Sequence, residues 1–432
     1  MICDNLTVSE DGQLYFAGQN ATALLETYGS PLYVMDENRI RHNLQVYVTA
    51  MRDAFGEDAQ VLYASKACSF KEIYRLAAAA GAGIDVVSGG EIYTAVAAGF
   101  PMEQAYFHGN NKTDDEIAYA IESGVGYFVV DSEEELLAVN TAAQKAGIVQ
   151  KILLRITPGI DTHTYEKINT GKVDSKFGNA IETGLAQRIT ALALQQSNIK
   201  LCGMHCHIGS QVFDSDTFFR SSEIMLTFMA QMQKTYGDIG NILDLGGGYG
   251  VRYTENDPVI DIRANIFEVA KCIKAKCDEL SFPFPAVRLE PGRSIVADAG
   301  MTLYTVGSVK RIPGYKNYVA VDGGMGDNPR YALYQSSYTV LCANKMHEQD
   351  TLTCDVVGKC CESGDILQPQ VTLPASITRG DTLAVLTTGA YNYAMASHYN
   401  RIPKLPVIMI SDSGVRVAVK RETYADIARN DV

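Results

Sequence analysis

Side chains that could do chemistry stand at the ends of several short apolar segments of this sequence. Lys66 closes the segment Tyr63-Ala-Ser-Lys66, where an amine is costly to bury unless it has a use. His205 and His207 close a later segment, and three successive glycines follow Asp244. Because a glycine backbone can approach an oxyanion closely, this run is a candidate phosphate cradle.

A carboxylate completes the set in the segment Glu290-Pro-Gly-Arg293. Lysine, histidine, glycines and carboxylate are together the groups that pyridoxal phosphate needs in a protein. The lysine links to the aldehyde, the glycines hold the phosphate, and a histidine can stack on the ring. The carboxylate keeps the pyridine nitrogen protonated, so that the ring draws electrons. The alternative for Lys66 is an ordinary surface or salt-bridged lysine.

The elements that must position these residues alternate between apolar strands and amphipathic helices. The predicted strands are Val61–Ala67, Ile84–Val87, Ala105–His108, Tyr127–Asp131, Ile152–Thr157, Leu201–His207, Ile242–Leu245 and Ala286–Glu290. Eight strand–helix units over about 250 residues are typical of a (β/α)8 TIM-like barrel, whose active face lies at the carboxyl ends of its strands. A doubly wound sheet is the alternative, but it would usually carry a glycine-rich turn after its first strand.

The pattern changes after Glu290 to short β-rich runs that Gly, Asp and Pro separate. Such runs predict an antiparallel β-sandwich or β-barrel domain. The first 35 residues also have the pattern of strands and are expected to join it. The predicted domains are therefore a cofactor-binding barrel over residues 36–290 and a β domain formed by residues 1–35 with 291–432.

Composition limits the class of protein. Of the 432 residues 47% are apolar, and the net charge of −13 argues against a nucleic-acid partner. No apolar run approaches the roughly 18 residues of a membrane helix, and no secretory signal is recognisable. Ten irregularly spaced cysteines favour reduced thiols and a cytoplasmic location. No metal site is expected from Cys202, His205, Cys206 and His207, since alternate residues of a strand face opposite sides.

These motifs resemble those of the fold-type III pyridoxal-phosphate decarboxylases, and most closely the subgroup that acts on meso-diaminopimelate. The similarity runs from about Pro31 to about Pro406. It lies in Tyr63–Ala67, His108–Lys112, Thr170–Gly178, His205–Gln211, Glu290–Val296, Cys361–Asp365 and Gly389–Tyr391. The resemblance implies decarboxylation of meso-2,6-diaminopimelate to L-lysine and CO2, the last step of lysine biosynthesis.

The resemblance also implies a role for each matching residue. Lys66 holds the cofactor, His207 stacks on its ring, and Cys361 is the proton donor. The implied cofactor-binding residues are Lys66, Asp85, His207, Ser210, Gly246, Gly247, Gly248, Glu290, Gly292, Arg293 and Tyr391. The implied substrate-binding residues are Arg293, Arg330, Tyr334, Glu362 and Tyr391, with the arginines forked onto the carboxylate that is retained. In the family Cys361 and Glu362 come from the partner subunit, which implies a homodimer.

Two departures from the family pattern bear on the substrate. Cys68 stands where Asn is usual, and Arg330-Tyr-Ala-Leu-Tyr334-Gln-Ser-Ser stands where Arg-Pro-Ala-Leu-Tyr with a later His is commoner. A decarboxylase of ornithine, arginine, lysine or carboxynorspermidine therefore stays open, as does a non-catalytic, cofactor-binding regulatory relative. Arg293 with Arg330 speaks against the former, whose substrates mostly lack a distal amino-acid carboxylate. An alanine racemase would place an arginine, not a carboxylate, at the pyridine nitrogen.

Taken without the resemblance, two of these residues have simpler explanations. Cys361 has the features of a small buried thiol, and Arg330 those of a solvated surface arginine. Their positions within the matching motifs favour the functional roles instead.

Overall fold

The computed structural model describes residues 2–159 and 175–432 and divides into two compact units. The unit called here the β unit contains Met1–His42, Val251–Pro258 and Arg293–Val432. The barrel unit contains Asn43–Gly250 and Val259–Gly292. The sequence-based boundaries lay at residues 35/36 and 290/291, a few residues from these divisions.

The strands are short, as the sequence predicts. They are β1 (Leu6–Val8), β2 (Leu14–Phe16), β3 (Gln19–Asn20), β4 (Leu32–Asp36), β5 (Gln60–Ala64), β6 (Gly83–Val86), β7 (Ala105–Phe107), β8 (Tyr127–Val130), β9 (Gln150–Thr157), β10 (Asn179–Ala180), β11 (Ile199–His205), β12 (Ile242–Asp244), β13 (Ala286–Leu289), β14 (Gly300–Ile312), β15 (Lys316–Val321), β16 (Val340–Cys342), β17 (Thr351–Val357), β18 (Ile366–Pro374), β19 (Thr382–Leu386), β20 (Val407–Ser411) and β21 (Gly414–Val419).

Helices separate most of the early strands. They are α1 (Ala21–Tyr28), α2 (Glu37–Phe55), α3 (Lys71–Ala79), α4 (Gly89–Ala98), α5 (Asp114–Glu122), α6 (Glu133–Ala146), α7 (Leu185–Ala193), α8 (Asp216–Tyr236), α9 (Ile262–Leu280), α10 (Arg293–Val296), α11 (Arg330–Tyr334) and α12 (Tyr424–Ala428). Among the helices described, none has both the length and the apolar character needed to cross a membrane.

The barrel unit is a closed ring of eight parallel strands, which confirms the predicted TIM-like barrel. The order around the ring is β5-β6-β7-β8-β9-β11-β12-β13, and β13 pairs with β5 to close it. Apolar side chains of the strands pack together in its interior; they include Leu62, Tyr106, Val129, Leu153 and Ile242. Because all eight strands run in one direction, their carboxyl ends meet at a single rim.

Two strands end two or three residues earlier than predicted, and this changes the position of the residues that follow. β5 ends at Ala64, so Lys66 lies in a 3-10 turn, Ser65–Ala67, rather than on the strand. β11 ends at His205, so His207 lies in the following loop. The argument from strand alternation therefore holds only as far as His205.

The β unit is built on a larger sheet in the order β18-β17-β15-β14-β4-β20-β21, with β19 paired to β14 and β16 paired to β19. The N-terminal strand β4 lies between β14 and β20, as predicted. Most strand pairs of this sheet are antiparallel, as predicted, but the β15–β17 and β4–β20 pairs are parallel. In both pairs a long stretch of chain separates the two strands, which leaves room for the crossover that a parallel pair requires.

Helix α5 begins with a capping box. Glu116 N–H donates to Thr113 Oγ1 and Thr113 N–H donates to Glu116 Oε2, each at 3.2 Å. Helix α6 has only half of such a box: Ser132 Oγ accepts from Glu135 N–H at 3.2 Å. The Glu135 carboxylate instead accepts from Lys112 Nζ at 2.7 Å.

The Lys112–Glu135 pair is buried among the barrel strands and helices. The Lys112 side chain is 1% exposed and that of Glu135 is 5% exposed. Lys112 Nζ also donates to the carbonyl oxygens of Gly109 and Val129, both at 2.8 Å. All three ammonium donors therefore have an acceptor, and the pair ties the loop after β7 to β8 and α6.

Replacing Lys112 with methionine should lower the free energy of unfolding by about 3 kcal/mol, because it leaves the Glu135 carboxylate buried without its cation. Urea unfolding followed by far-ultraviolet circular dichroism measures this loss. Lys271→Met is the matched control, since Lys271 pairs with Glu268 on an exposed helix face. It should cost less than about 0.5 kcal/mol. An equal loss in the two variants would contradict the structural role of Lys112.

Candidate functional site

A buried carboxylate, Glu290, lies directly after β13 and is held by two histidines. Its Oε1 lies 2.8 Å from Nε2 of His108, which follows β7. Its Oε2 lies 3.3 Å from Nε2 of His205, the last residue of β11. Burial alone would raise the pKa of Glu290, but the two imidazoles outweigh it and bring that pKa well below its usual range. Glu290 is therefore ionised.

The neighbours of Glu290 differ from it in protonation. Burial lowers the pKa of His205 to about 4, so its ring is neutral, and its hydrogen bond to Glu290 places the single proton on Nε2. Asp244, at the end of β12, accepts from Gly246 N–H at 2.9 Å. Burial and the charge of Glu290 raise the pKa of Asp244 well above its usual range. Asp244 is thus a neutral acid beside an ionised one.

His108, His205, Asp244 and Glu290 also present ligand-type atoms that all lie within 4.8 Å of one another. The 2.8 Å from His108 Nε2 to Glu290 Oε1 is an ion-pair distance. Two ligands of a tetrahedral zinc ion would lie roughly 3.3 Å apart. The His108–Glu290 contact is therefore too short for two ligands of such an ion.

Three further residues with predicted cofactor roles lie at the same rim of the barrel unit. Lys66 is solvent-accessible in the turn after β5. Asp85, on β6, is buried, and burial raises its pKa even though positive neighbours oppose the shift. Burial and the charges of Lys66 and Arg155 lower the pKa of His207 well below its usual value. The amine at this rim is therefore accompanied by a neutral imidazole.

The glycines after β12 adopt a backbone conformation, and lie so close to their neighbours, that a side chain would not fit. Gly246 and Gly248 have φ of +68° and +134°, in the region that favours glycine. A Cβ on Gly247 would lie 2.2 Å from the carbonyl oxygen of Glu290. Gly247 N–H lies 3.3 Å from His207 Nδ1. The backbone of this segment therefore approaches Glu290 and His207 more closely than any other residue type would allow.

Two further residues with predicted phosphate contacts are Ser210, beside this glycine segment, and Gly292, beside the Lys66 turn. Ser210 follows Gly209, whose carbonyl oxygen would lie 2.8 Å from a Cβ on Gly248. A Cβ on Gly292 would lie 2.9 Å from Cβ of Ala64, the residue before the Lys66 turn. An ionised carboxylate, a neutral imidazole, an amine and a tight glycine segment thus occupy one rim, and this set of groups fits pyridoxal phosphate.

In the β unit, the predicted residues Arg293, Arg330 and Tyr391 lie around a tyrosine that the sequence analysis did not single out, Tyr253. Arg293 Nη1 donates to Tyr253 OH at 2.7 Å, and its guanidinium lies 4.7 Å from the Tyr391 ring centroid. The Arg330 guanidinium lies 4.8 Å from the Tyr253 ring centroid. Both arginines are buried. We call these four residues the arginine–tyrosine cluster.

The contacts of Arg330 are with uncharged groups. Its Nη1 donates to Tyr338 OH at 2.8 Å and its Nη2 to Ser336 Oγ at 3.2 Å. Within residues 2–159 and 175–432, none of the groups that contact it is a carboxylate. A buried guanidinium with only neutral partners is a site that favours an anion.

Three other predicted residues of the β unit lie elsewhere. Cys361 and Glu362 are exposed in the loop after β17, and Tyr334 is partly exposed at the end of α11. Asn400 Oδ1 accepts from Cys361 N–H at 2.8 Å and so helps to hold this loop. In the part of the chain that the structure describes, neither Cys361 nor Glu362 is among the residues that contact the two arginines.

Several residues of these sites were not among the predicted ones. His108 and His205 were visible only as polar residues at strand ends, and the signal for Arg155 was a charge within an apolar strand. Tyr253 and Tyr338 carried no signal, since single tyrosines near glycine or serine are common. Of the motif Thr170–Gly178, residues 170–174 lie outside the described residues.

Comparisons with known proteins agree with this geometry. The family model for the pyridoxal binding domain of pyridoxal-dependent decarboxylases matches residues 41–297. The chain is 45% identical over 424 residues to the diaminopimelate decarboxylase of Bacillus subtilis (strain 168), covering 98% of this chain and 96% of the relative. It is 41% identical over 423 residues to that of Staphylococcus aureus (strain COL), covering 98% of each.

Solved structures are also similar. The diaminopimelate decarboxylase of M. jannaschii in complex with L-lysine has a TM-score of 0.91 and 34% identity, covering 100% of this chain and 98% of that one. A lysine/ornithine decarboxylase of Vibrio vulnificus has a TM-score of 0.75, 23% identity and coverage of 90% and 96%. The second likeness extends to the fold alone.

Replacing Gly247 with alanine should weaken the binding of pyridoxal phosphate at least about tenfold, because the new methyl group would meet the Glu290 carbonyl and displace the glycine segment. Absorbance titration of the full chain freed of cofactor measures the dissociation constant. Gly90→Ala is the control, since a Cβ there would lie 3.7 Å from Ser88 Oγ, an ordinary contact. Unchanged affinity in a folded Gly247→Ala variant would argue against the glycine segment as the phosphate site.

Proposed function

Because the chain belongs to the diaminopimelate decarboxylases, a branch of the pyridoxal-dependent decarboxylases, we propose that it removes CO2 from meso-2,6-diaminopimelate to give L-lysine. This is the last step of lysine biosynthesis. Its cofactor is pyridoxal 5′-phosphate, which when bound accepts the electron pair left by the departing CO2. The observation that carries the proposal is the buried Arg330, which contacts only neutral groups. Its positive charge can therefore pair with the substrate carboxylate that the product retains.

In the barrel unit, each proposed role follows from the state of the side chain. Lys66, as an accessible amine, forms the covalent link to the cofactor. The ionised Glu290 holds a proton on the pyridine nitrogen, and the neutral His207 stacks on the ring. The remaining proposed cofactor contacts are Asp85, Ser210, Gly246, Gly247, Gly248, Gly292, Arg293 and Tyr391.

In the β unit, we assign Arg293 and Arg330 to the distal carboxylate of the substrate, with Tyr334 and Tyr391 as further contacts. A guanidinium donates two parallel N–H groups to a carboxylate, which fixes both the position and the orientation of the substrate. The phenols around Arg330 leave its charge uncompensated. A substrate that carried an amine in place of the distal carboxylate would be repelled.

We further propose that the active protein is a homodimer in which Cys361 and Glu362 serve the site of the partner subunit. Cys361 would give a proton to the carbon that has lost CO2, and Glu362 would contact the substrate. Their exposure in the described chain supports this, because each side chain is accessible to a second subunit. All ten cysteines are free thiols, which supports a reducing compartment such as the cytoplasm.

The direct test measures CO2 release by the purified full chain with its cofactor. We expect release from meso-diaminopimelate, with little from L-lysine or L-ornithine. Lys66→Ala should lose both turnover and the visible absorption of the bound cofactor, since it removes the covalent link.

Other results would identify the alternatives. Faster release from ornithine or lysine would favour a decarboxylase of basic amino acids. A bound cofactor with no release from any of the three would indicate a non-catalytic relative.

Replacing Arg330 with alanine should raise the KM for meso-diaminopimelate roughly 30- to 100-fold and change kcat much less. The loss of a hydrogen-bonded charge pair costs about 2–3 kcal/mol, and each 1.4 kcal/mol is tenfold. Steady-state kinetics separates the two parameters. Arg379→Ala is the control, since Arg379 is exposed and donates to the carbonyl of Gly307. A KM within threefold of the wild type would refute the assigned carboxylate contact.

A further inference from the structure

Two buried histidines have no part in the proposed function, although they determine the state of Glu290. His108 and His205 come from β7 and β11, and each directs Nε2 at a different oxygen of that carboxylate, at 2.8 and 3.3 Å. Their rings meet edge to face, with centroids 4.9 Å apart and an interplanar angle of 72°. Both oxygens of Glu290 are therefore held, and the plane of the carboxylate is fixed.

The direction of the hydrogen bonds follows from the acceptor. An ionised carboxylate can only accept, so Nε2 of His205, which is hydrogen-bonded to Glu290, carries a proton and donates. Nε2 of His108 lies at ion-pair distance from the other oxygen. For His205 this leaves Nδ1 bare, and that atom is buried without a hydrogen-bond partner among the residues described. A neutral ring with one proton, on the nitrogen that faces Glu290, is the arrangement that agrees with both observations.

The other groups around Glu290 show what the two histidines change. Asp85 on β6 and Asp244 on β12 are also buried carboxyls at this rim, and burial raises the pKa of each. Arg155 on β9 is the nearby cation, and its charge acts on Asp85 as well as on Glu290. Glu290 alone is shifted toward the ionised form. It is also the carboxyl that has an imidazole on each oxygen.

We propose that His108 and His205 are positioning residues that hold Glu290 as an oriented carboxylate, and that through Glu290 they keep the proton on the pyridine nitrogen of the cofactor. The inference rests on the proposed role of Glu290. Without the two donors, a carboxyl buried beside Asp244 would take up a proton itself. A neutral acid attracts a protonated pyridine much less than a carboxylate does. The histidines therefore act on the ring without contacting the substrate.

The test compares two ligands on the full chain freed of cofactor. One is pyridoxal phosphate, and the other is its 1-deaza analogue, in which a carbon replaces the pyridine nitrogen. His108→Leu and His205→Leu should each lower the affinity for pyridoxal phosphate about tenfold or more, because Glu290 loses one of its two imidazole contacts. Binding of the deaza analogue should be no weaker than to the wild type, since it has no ring proton for Glu290 to hold.

Conservative variants separate the hydrogen bond from packing. Gln places an amide nitrogen close to the position of Nε2, so His108→Gln and His205→Gln should restore the affinity for pyridoxal phosphate to within about threefold. Asn is too short to reach Glu290 and should behave like Leu. If a leucine variant does not fold, the Gln and Asn variants give the same comparison.

Glu290→Gln distinguishes this inference from the proposed role of Glu290. This variant should bind pyridoxal phosphate more weakly and bind the deaza analogue as tightly as the wild type does. If it affects the two ligands equally, the role of Glu290 and the inference both fail. If it discriminates but the histidine variants weaken both ligands equally, or neither, then the inference alone is overturned and the histidines serve only packing.

Discussion

The contacts of His108 and His205 with the two oxygens of Glu290 are the constraint on which the barrel site depends. Withdrawing a carboxylate from water costs several kcal/mol unless donors replace the lost hydration. Here the donors come from β7 and β11, while the carboxylate follows β13. Because these strands are not neighbours in the ring, the buried carboxylate has both contacts only when the whole barrel has closed. The fold therefore sets a protonation state as well as a position.

The same principle explains why the polar residues at the rim differ in charge. Burial acts on Asp85, Asp244 and Glu290 alike, but in Glu290 the two imidazoles outweigh it. Burial also keeps His207 neutral, beside the positive charges of Lys66 and Arg155. Of these three carboxyl groups, Glu290 is thus the anion that suits a protonated ring nitrogen. The overall charge of −13 bears on none of this, since local burial decides each group.

The sequence predicts the barrel because strand and helix patterns alternate, and it predicts Lys66, Glu290 and the glycines because each stands in a recognisable motif. It does not predict where β5 and β11 end, since the apolar pattern continues through the 3-10 turn of Lys66 and past His205. Nor does it link His108 to Glu290, which are 182 residues apart in the chain. That link exists only through the order of strands in the ring, which leaves no local signal.

In the β unit, the phenol of Tyr253 lies between two buried cations, Arg293 and Arg330, whose charges would otherwise repel each other directly. Tyr253 accepts from Arg293 through its hydroxyl and presents its ring to the guanidinium of Arg330. Burial would raise the pKa of Tyr253, but the two arginines outweigh burial and lower it. The phenol therefore screens the two charges from each other without neutralising them, as a carboxylate in its place would. Two buried guanidinium groups held in this way favour an anionic ligand over a cationic one.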